Sequence, residues 1–152
     1  MANVFYETGA GRAEKVKNLF GSIARRYDLI NDVQSFGLHR LWKRRLVRLA
    51  EVEAGQRALD LCCGTGDIAM ALAGRGARVT GLDFSEPMLA VAREKKLNGA
   101  GQVPEFIQGD AQAVPFPDHS FDRVTVGYGL RNLASLETGL REMHRVTRPG
   151  GR

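Results

Sequence analysis

The sequence has few cysteines and no long apolar run. Its two cysteines, Cys62 and Cys63, are adjacent, so they cannot join distant elements through a disulfide and do not form the spaced pair of a zinc site. No stretch approaches the roughly 20 apolar residues that span a bilayer, and residues 1–20 lack the apolar centre of a signal peptide. These absences predict a cytoplasmic protein that binds no metal.

Internal repeats, low-complexity segments and Pro/Ser-rich linkers are also absent. A chain of 152 residues that is 43% hydrophobic fits one domain with a sizeable core. Within it we distinguish a helical N-terminal segment, residues 1–54, from an α/β core, residues 55–152. The helical segment is expected to cover a substrate or to face a membrane.

Positive charge is concentrated in the first third of the chain. Residues 1–50 hold ten Lys or Arg against four Asp or Glu, whereas the remainder holds twelve against thirteen. Such a flank favours an anionic partner, lipid headgroups or nucleic acid, although a solvated helix face has the same composition. Leu41, Trp42, Leu46 and Leu49 recur at helical spacing among arginines, which predicts an amphipathic helix.

Apolar periodicity predicts helices at residues 14–22, 26–34 and 39–50, followed by a change of pattern at Gly55. Strands and helices then alternate, which implies a parallel sheet with right-handed crossovers and a functional cleft at the carboxyl ends of the strands. The predicted strands are 57–61, 78–82, 103–108 and 121–126. The predicted helices are 67–73, 86–98 with Ser85 as N-cap, and 135–146.

The last residues resemble the turn into a further strand. Arg148-Pro149-Gly150-Gly151 is typical of a helix stop and turn, and only Arg152 follows. We therefore expect a truncated chain whose sheet lacks its C-terminal strands. Strand four would then be an exposed edge, through which two copies could pair as a homo-oligomer.

A glycine loop follows the first predicted strand. Residues 64–69 match G-x-G-x-x-[GA] between a strand and a helix, and Asp83 lies seventeen residues beyond Gly66, placed to accept from ribose hydroxyls. Gly64 and Gly66 would let a ligand approach the backbone, and the helix N-terminus offers free N–H groups. Tight packing of the turn against the helix would explain the same glycines.

Two further acids favour S-adenosylmethionine over a dinucleotide. Asp60, four residues before Gly64, would repel a pyrophosphate but suits the ammonium group of a methionine moiety, directly or through water. Asp110 follows the third strand, where it can accept from the amino group of adenine. With Asp83, these acids at three strand ends match the cationic end, the adenine and the ribose of one ligand.

Several motifs resemble class I methyltransferases that use S-adenosylmethionine: DLCCGTGD, GLDFSEPML, QGDAQAVPFPDHSFD and REMHRVTRPGG. More specifically, RYDLINDVQSFGLHRLW and VGYGLRNL resemble the C-methyltransferases of menaquinone and ubiquinone biosynthesis, which methylate a prenylated quinol. The resemblance runs from about residue 16 to residue 152. It implies a Rossmann-like fold with strand order 3-2-1-4. It also implies cofactor positions at Thr65, Asp83, Asp110 and Ala111, and Phe84 beside Asp83 is a further predicted cofactor contact. Some members carry a polar residue that contacts the cofactor at the position of Gly127, and glycine has no side chain to make that contact.

Methylation of a quinol carbon requires a phenolate, and a free phenol has a pKa of about 10. Arg131 is the predicted cation for the developing oxyanion, since guanidinium cannot act as a base. His39 and Asp28 are the predicted bases, with Tyr27 as a hydrogen-bonding relay. Each residue also has a purely structural interpretation. His39 stands near a helix start, Asp28 can cap a helix, and Tyr27 can be a core residue.

A prenylated acceptor would explain the basic amphipathic segment through transient contact with the membrane surface, peripheral at its inner face. A nucleic-acid methyltransferase is the rival interpretation of the basic pI. However, the charge lies in the N-terminal segment and no aromatic-proline acceptor motif follows strand four, so no nucleic-acid partner is expected. A methyltransferase of another small molecule, or a fragment that binds cofactor without turnover, remains an alternative.

Overall fold

The computed structural model describes residues 23–99 and 101–152. The predicted helix at residues 14–22 lies outside these ranges. A short 3₁₀ turn, Ala24–Arg26, leads into two helices, α1 (Tyr27–Ser35) and α2 (Leu38–Leu49). Both helices agree with the sequence-based prediction to within one residue at each end.

Strands and helices alternate beyond α2. The strands are β1 (Arg57–Leu61), β2 (Arg78–Asp83), β3 (Glu105–Gln108) and β4 (Arg123–Val126). They pair in parallel in the order β3-β2-β1-β4, which confirms the predicted Rossmann-like order. The helices are α3 (Asp67–Ala73), α4 (Glu86–Glu94) and α5 (Leu136–Val146), and a 3₁₀ helix (Tyr128–Asn132) follows β4.

The central strand β1 is buried from Ala58 to Leu61, as expected for a parallel strand covered on both faces. Ala58 packs in an apolar cluster with α3, α4 and Val47 of α2. Leu59 and Leu61 pack in a second cluster with Val146 of α5. Asp60 alternates with the leucines and therefore faces the side that α3 covers.

Three predicted boundaries differ from the structure by two or more residues. β4 begins two residues later than predicted, because the Phe121 N–H donates to the Val146 carbonyl and joins the end of α5. β3 likewise begins at Glu105. The helix α4 ends at Glu94, four residues earlier than predicted, because Lys95 is extended and its ammonium group pairs with carboxylates outside the helix.

Ser85 occupies the N-cap position of α4, but its side chain does not cap the helix. A capping hydroxyl accepts from the second or third helical N–H, and the second residue here is Pro87, which has none. The Met88 N–H donates to the backbone carbonyl of Ser85 instead. The Ser85 N–H donates to Asp83, so this residue connects α4 to the end of β2.

The outer edge of β4 is less exposed than predicted. The Val124 N–H donates to the Arg152 carbonyl at 2.9 Å, and the Arg152 N–H donates to the Asp122 carbonyl at 3.0 Å. Arg148 also donates to the Phe121 carbonyl. These bonds occupy the first part of the β4 edge. Pairing of two copies through β4 therefore stays a prediction, limited to the residues beyond Val124.

A network of four charged side chains and one hydroxyl attaches the N-terminal helices to the core. The Thr65 hydroxyl donates to Asp28 of α1 at 2.7 Å, and Lys95 bridges Asp28 and Asp67 at 2.7 and 2.5 Å. Lys43 of α2 donates to the other oxygen of Asp67 at 2.7 Å. Burial alone would raise the pKa of Asp67, but the two ammonium groups outweigh it and lower that pKa.

Replacing Asp28 with Asn should loosen α1 from the core. The change removes the charge that binds Lys95 and weakens acceptance from Thr65. Because the carboxylate is partly exposed, we expect a loss of about 1 to 2 kcal/mol in the free energy of unfolding. Urea unfolding measures this loss, and trypsin cleavage at Arg25 and Arg26 should accelerate.

Asp32→Asn is the matched control, because Asp32 lies on the same helix but pairs with Arg40 inside the N-terminal segment. It should change both readouts much less than Asp28→Asn does. Equal effects of the two substitutions would show that the Asp28 bonds do not attach α1 to the core.

Candidate functional site

An open cleft lies at the carboxyl ends of the strands, where a parallel α/β sheet is expected to bind its ligand. Its empty volume is about 1190 Å³, in part continuous with solvent. The loops after the four strands form its floor, and Tyr27 and Lys43 of the N-terminal helices contribute to its wall. Eight of the predicted site residues line it: Tyr27, Gly64, Thr65, Asp83, Phe84, Asp110, Ala111 and Arg131.

The two glycines of the loop have different roles. Gly66 has a φ of 79°, and a Cβ there would lie 2.8 Å from the Phe106 ring, so tight packing of the turn explains this glycine. Gly64 has a φ of 56°, and a Cβ there would meet only the end of the Met88 side chain, at 3.4 Å. Gly64 lines the cleft and Gly66 does not, so only Gly64 can let a ligand approach the backbone.

Asp83 connects the glycine loop to the start of α4. One carboxylate oxygen accepts from the Gly64 N–H at 2.8 Å, and the other accepts from the Ser85 N–H at 2.9 Å. Burial raises the pKa of Asp83, and the backbone donors partly offset this effect. A carboxylate has about four acceptor positions, so Asp83 can still accept from ligand hydroxyls.

Asp60 is fully buried behind the cleft rather than in its wall. One of its oxygens accepts from the Thr125 hydroxyl at 2.8 Å. The other makes no hydrogen bond of good geometry among the described residues. Burial raises the pKa of Asp60 to about 7, although the nearby Ala69 N–H acts to lower the pKa of this carboxyl. This position does not support the predicted direct contact with a ligand ammonium group and leaves the water-mediated one.

The loop after β3 carries the third acid of the predicted set. Asp110 is exposed and accepts from the Gln112 N–H at 2.8 Å, while Ala111 is buried beside it. Phe84, which follows β2, lines the cleft, and its carbonyl accepts from Gln108 at 3.0 Å. This part of the cleft therefore combines an apolar wall with a carboxylate at its rim.

The structure separates the predicted catalytic residues into two groups. Tyr27 and Arg131 line the cleft, whereas Asp28 and His39 do not. Asp28 is held by Lys95 and Thr65, as described above. His39 is buried, its Nδ1 lies 2.9 Å from the Ser35 hydroxyl, and its Nε2 lies 3.7 Å from Asp32. The position of neither residue supports a role as base in the cleft.

Sequence reasoning missed Tyr128. It is the first residue of the 3₁₀ helix after β4 and lines the cleft, with its ring edge-on to that of Trp42 at a centroid distance of 6.3 Å. The motif VGYGLRNL contains it, but an aromatic residue at a strand end does not reveal that its hydroxyl is buried. Lys43 and Asp67 also line the cleft and were not predicted.

Both cysteines line the cleft as free thiols. Burial raises the pKa of Cys62 to about 12 and raises that of Cys63 as well. Both thiols are therefore protonated at neutral pH and are poor nucleophiles. Among the residues that the structure describes, no group of three His, Cys, Asp or Glu could hold a metal ion.

Comparison with known proteins agrees with this geometry. The model of the ubiE/COQ5 methyltransferase family matches residues 8–152. The chain is 50% identical over 144 residues to a demethylmenaquinone methyltransferase of Geobacillus kaustophilus (strain HTA426), covering 92% of this chain and 61% of that protein. It is 48% identical over 145 residues to the ubiquinone/menaquinone biosynthesis C-methyltransferase UbiE of Pseudomonas fluorescens (strain Pf0-1), covering 93% and 57%.

The chain thus spans about 60% of the length of the curated relatives it matches. Two solved structures share the fold. One is a complex of a putative methyltransferase with the Haloferax volcanii Trm112 methyltransferase activator, with a TM-score of 0.73, 28% identity and coverage of 87% of this chain and 57% of that one. The other is a putative S-adenosylmethionine-dependent methyltransferase of Methanococcus maripaludis, with a TM-score of 0.71, 23% identity and coverage of 86% and 60%.

Within residues 23–99 and 101–152, no helix combines the length and the apolar content that crossing a membrane requires.

Asp60→Asn should change the pH dependence of stability. Burial raises the folded-state pKa from its ordinary 3.8 to about 7, so between these values the folded state holds a proton that the unfolded state has lost. The contribution of Asp60 to wild-type stability should therefore fall as pH rises through this window, and the Asn variant should lack this contribution. The advantage of the variant should grow by about 1 to 4 kcal/mol between pH 4 and pH 8.

Urea unfolding of both proteins at these two pH values, without ligand, measures the difference. An Asn side chain keeps an acceptor for Thr125, so packing is preserved. A difference between variant and wild type that does not vary with pH would contradict the raised pKa.

Proposed function

Because the chain belongs to the ubiE/COQ5 methyltransferase family, we propose that it binds S-adenosylmethionine and transfers the methyl group to a ring carbon of a prenylated quinol. The names of the relatives support the substrate class, demethylmenaquinol or the benzoquinol equivalent. The single observation that carries the proposal is the cleft at the strand ends, where Gly64 is open to a ligand beside the buried carboxylate of Asp83.

The residues present fit this cofactor. Asp83 would accept from the ribose hydroxyls, while Phe84, Asp110 and Ala111 would border the adenine. Asp60 is buried behind the loop with a pKa of about 7, so a cationic methionyl end nearby would favour its ionised form. Thr65 is bound to Asp28, so its contribution would be to connect the cofactor loop to α1.

Bound S-adenosylmethionine would supply an electrophilic methyl group on a sulfonium. The part of this chain is to orient the acceptor ring and to stabilise its phenolate, since a free phenol has a pKa of about 10. Arg131 lines the cleft and would stabilise the oxyanion as a fixed cation, and Tyr27 would hydrogen-bond to the acceptor. Asp28 and His39 stay predictions as bases: neither lines the cleft, and Asp28 is bonded to Thr65 and Lys95.

We further propose that the protein is cytoplasmic and contacts the inner face of the membrane transiently to reach a lipid acceptor. Leu29 and Val33 of α1 and Phe36 after it are 64%, 68% and 94% exposed. These three residues recur at helical spacing, and α2 adds the exposed arginines 44, 45 and 48. An apolar stripe beside basic residues is typical of helices that lie on anionic membrane surfaces.

Phe36→Asn should reduce sedimentation with vesicles of phosphatidylcholine and phosphatidylglycerol by about tenfold, because it removes one large apolar side chain. Asn tolerates the left-handed backbone at this position, where φ is 51°. Val103→Asn is the matched control, because Val103 is 62% exposed but lies outside the helical segment.

Added salt should weaken binding of the wild type and of both variants. Binding that ignores the phosphatidylglycerol content would contradict the electrostatic part of this proposal. Equal vesicle binding by the two variants would contradict the proposal that the surface around Phe36 contacts the membrane.

Asp83→Ala should weaken S-adenosylmethionine binding about ten- to a hundredfold, because it removes charge-assisted bonds to the ribose and releases the Gly64 N–H. Calorimetry measures the affinity, and Asp118→Ala, a change at an exposed loop carboxylate, is the control. A change under about twofold for Asp83→Ala would refute the assignment.

The same preparation is then given labelled S-adenosylmethionine and a reduced prenyl naphthoquinone that lacks the ring methyl. Transfer of label to the ring is the expected result. Cofactor binding without transfer would limit the function of this chain to binding.

A further inference from the structure

Tyr128 combines a position in the cleft wall with a buried hydroxyl that has no hydrogen-bond partner among the described residues. Buried polar groups are nearly always paired, so each exception calls for an explanation. Asn31, Asp60 and Ser85 also carry such unpartnered atoms, but none of these three residues lines the cleft. Tyr128 is thus the member of this set whose residue also lines the cleft.

The backbone on both sides of Tyr128 is fixed by close packing. A Cβ on Gly129 would lie 2.1 Å from that of Cys62, and a Cβ on Gly127 would lie 2.9 Å from the Ile68 side chain. The chain here therefore packs directly on the loop after β1 and on α3. Trp42 contacts the tyrosine ring from α2. The packed backbone and the contact with Trp42 together restrict where the tyrosine ring can lie.

The surroundings of this hydroxyl make it a donor. Burial raises the pKa of Tyr128, the nearby Tyr27 raises it further, and Arg131 opposes both effects. The phenol is therefore neutral at physiological pH and can donate its proton to an acceptor oxygen. Tyr27 and Arg131 line the same cleft, so the hydroxyl belongs to the part of the site that we assign to the methyl acceptor.

We propose that the Tyr128 hydroxyl binds the methyl acceptor by donating a hydrogen bond to an oxygen on its aromatic ring, and thereby determines which ring carbon faces the methyl donor. This inference rests on the proposed function for the identity of the acceptor. The ligand class that Tyr128 recognises is a planar aromatic ring with a hydroxyl or phenolate substituent. Tyr27, which lines the same cleft, supplies aromatic surface for such a ring.

Tyr128→Phe tests the inference because it removes the hydroxyl and keeps the ring that contacts Trp42. Equilibrium dialysis compares two probes, 1-naphthol and 1-methylnaphthalene, which have similar shapes but differ in hydrogen-bonding ability. The wild type should prefer 1-naphthol, and Tyr128→Phe should weaken its binding about three- to tenfold while changing 1-methylnaphthalene binding by less than about twofold.

The stability of the variant distinguishes ligand binding from a structural role. If the hydroxyl is unpartnered in the free protein, Tyr128→Phe should unfold in urea at the same or a higher midpoint than the wild type. A lower midpoint would overturn the proposal, because it would show that the hydroxyl is paired within the protein.

The proposal would also be overturned if the wild type bound the two probes equally or bound neither, or if the variant lost no affinity or lost affinity equally for both. No cofactor is present in this experiment, so these results do not depend on methyl transfer. Failure of the proposed function would be seen separately, as absence of S-adenosylmethionine binding or of label transfer.

Discussion

The carboxylate of Asp83 is the interaction on which the site depends. It accepts one N–H from the loop after β1 and one from the start of α4, and so joins two neighbouring strand ends. A buried carboxylate without such donors would be costly, so the conformation of the loop and the ionisation of the acid support each other. The loop in turn presents Thr65 to Asp28, which places the N-terminal helices over the cleft.

Charge is arranged differently where the N-terminal helices attach to the core and at the strand ends that form the cleft. Asp28 and Asp67 are neutralised by Lys43 and Lys95, so they serve attachment of the helices. The acids at the strand ends have mainly backbone and neutral side-chain donors instead. Their negative charge opposes a pyrophosphate and favours a cationic adenosyl ligand. This contrast is the physical basis for proposing S-adenosylmethionine rather than a dinucleotide.

Local patterns predicted the central elements well. The bounds of β1 and α3 were correct to the residue, because an apolar strand, a glycine turn and a terminal glycine mark them. The different roles of the two glycines, Gly64 facing the cleft and Gly66 packing tightly, were not predictable, because they depend on where the Phe106 ring lies. Likewise, the pairing of Asp28 with Lys95 joins residues 67 positions apart, and the unpartnered Tyr128 hydroxyl reflects tertiary packing around it.

If the acids at the strand ends select a cationic adenosyl ligand, the protein should distinguish S-adenosylmethionine from a dinucleotide. Calorimetric titration of the unmodified chain with S-adenosylmethionine and, separately, with NAD tests it most directly. Both ligands contain adenosine, which in one carries a cationic methionyl group and in the other an anionic pyrophosphate joined to nicotinamide riboside. We expect S-adenosylmethionine to bind at least about a hundredfold more tightly than NAD, a difference of about 2.7 kcal/mol. Equal affinities, or tighter binding of NAD, would contradict it.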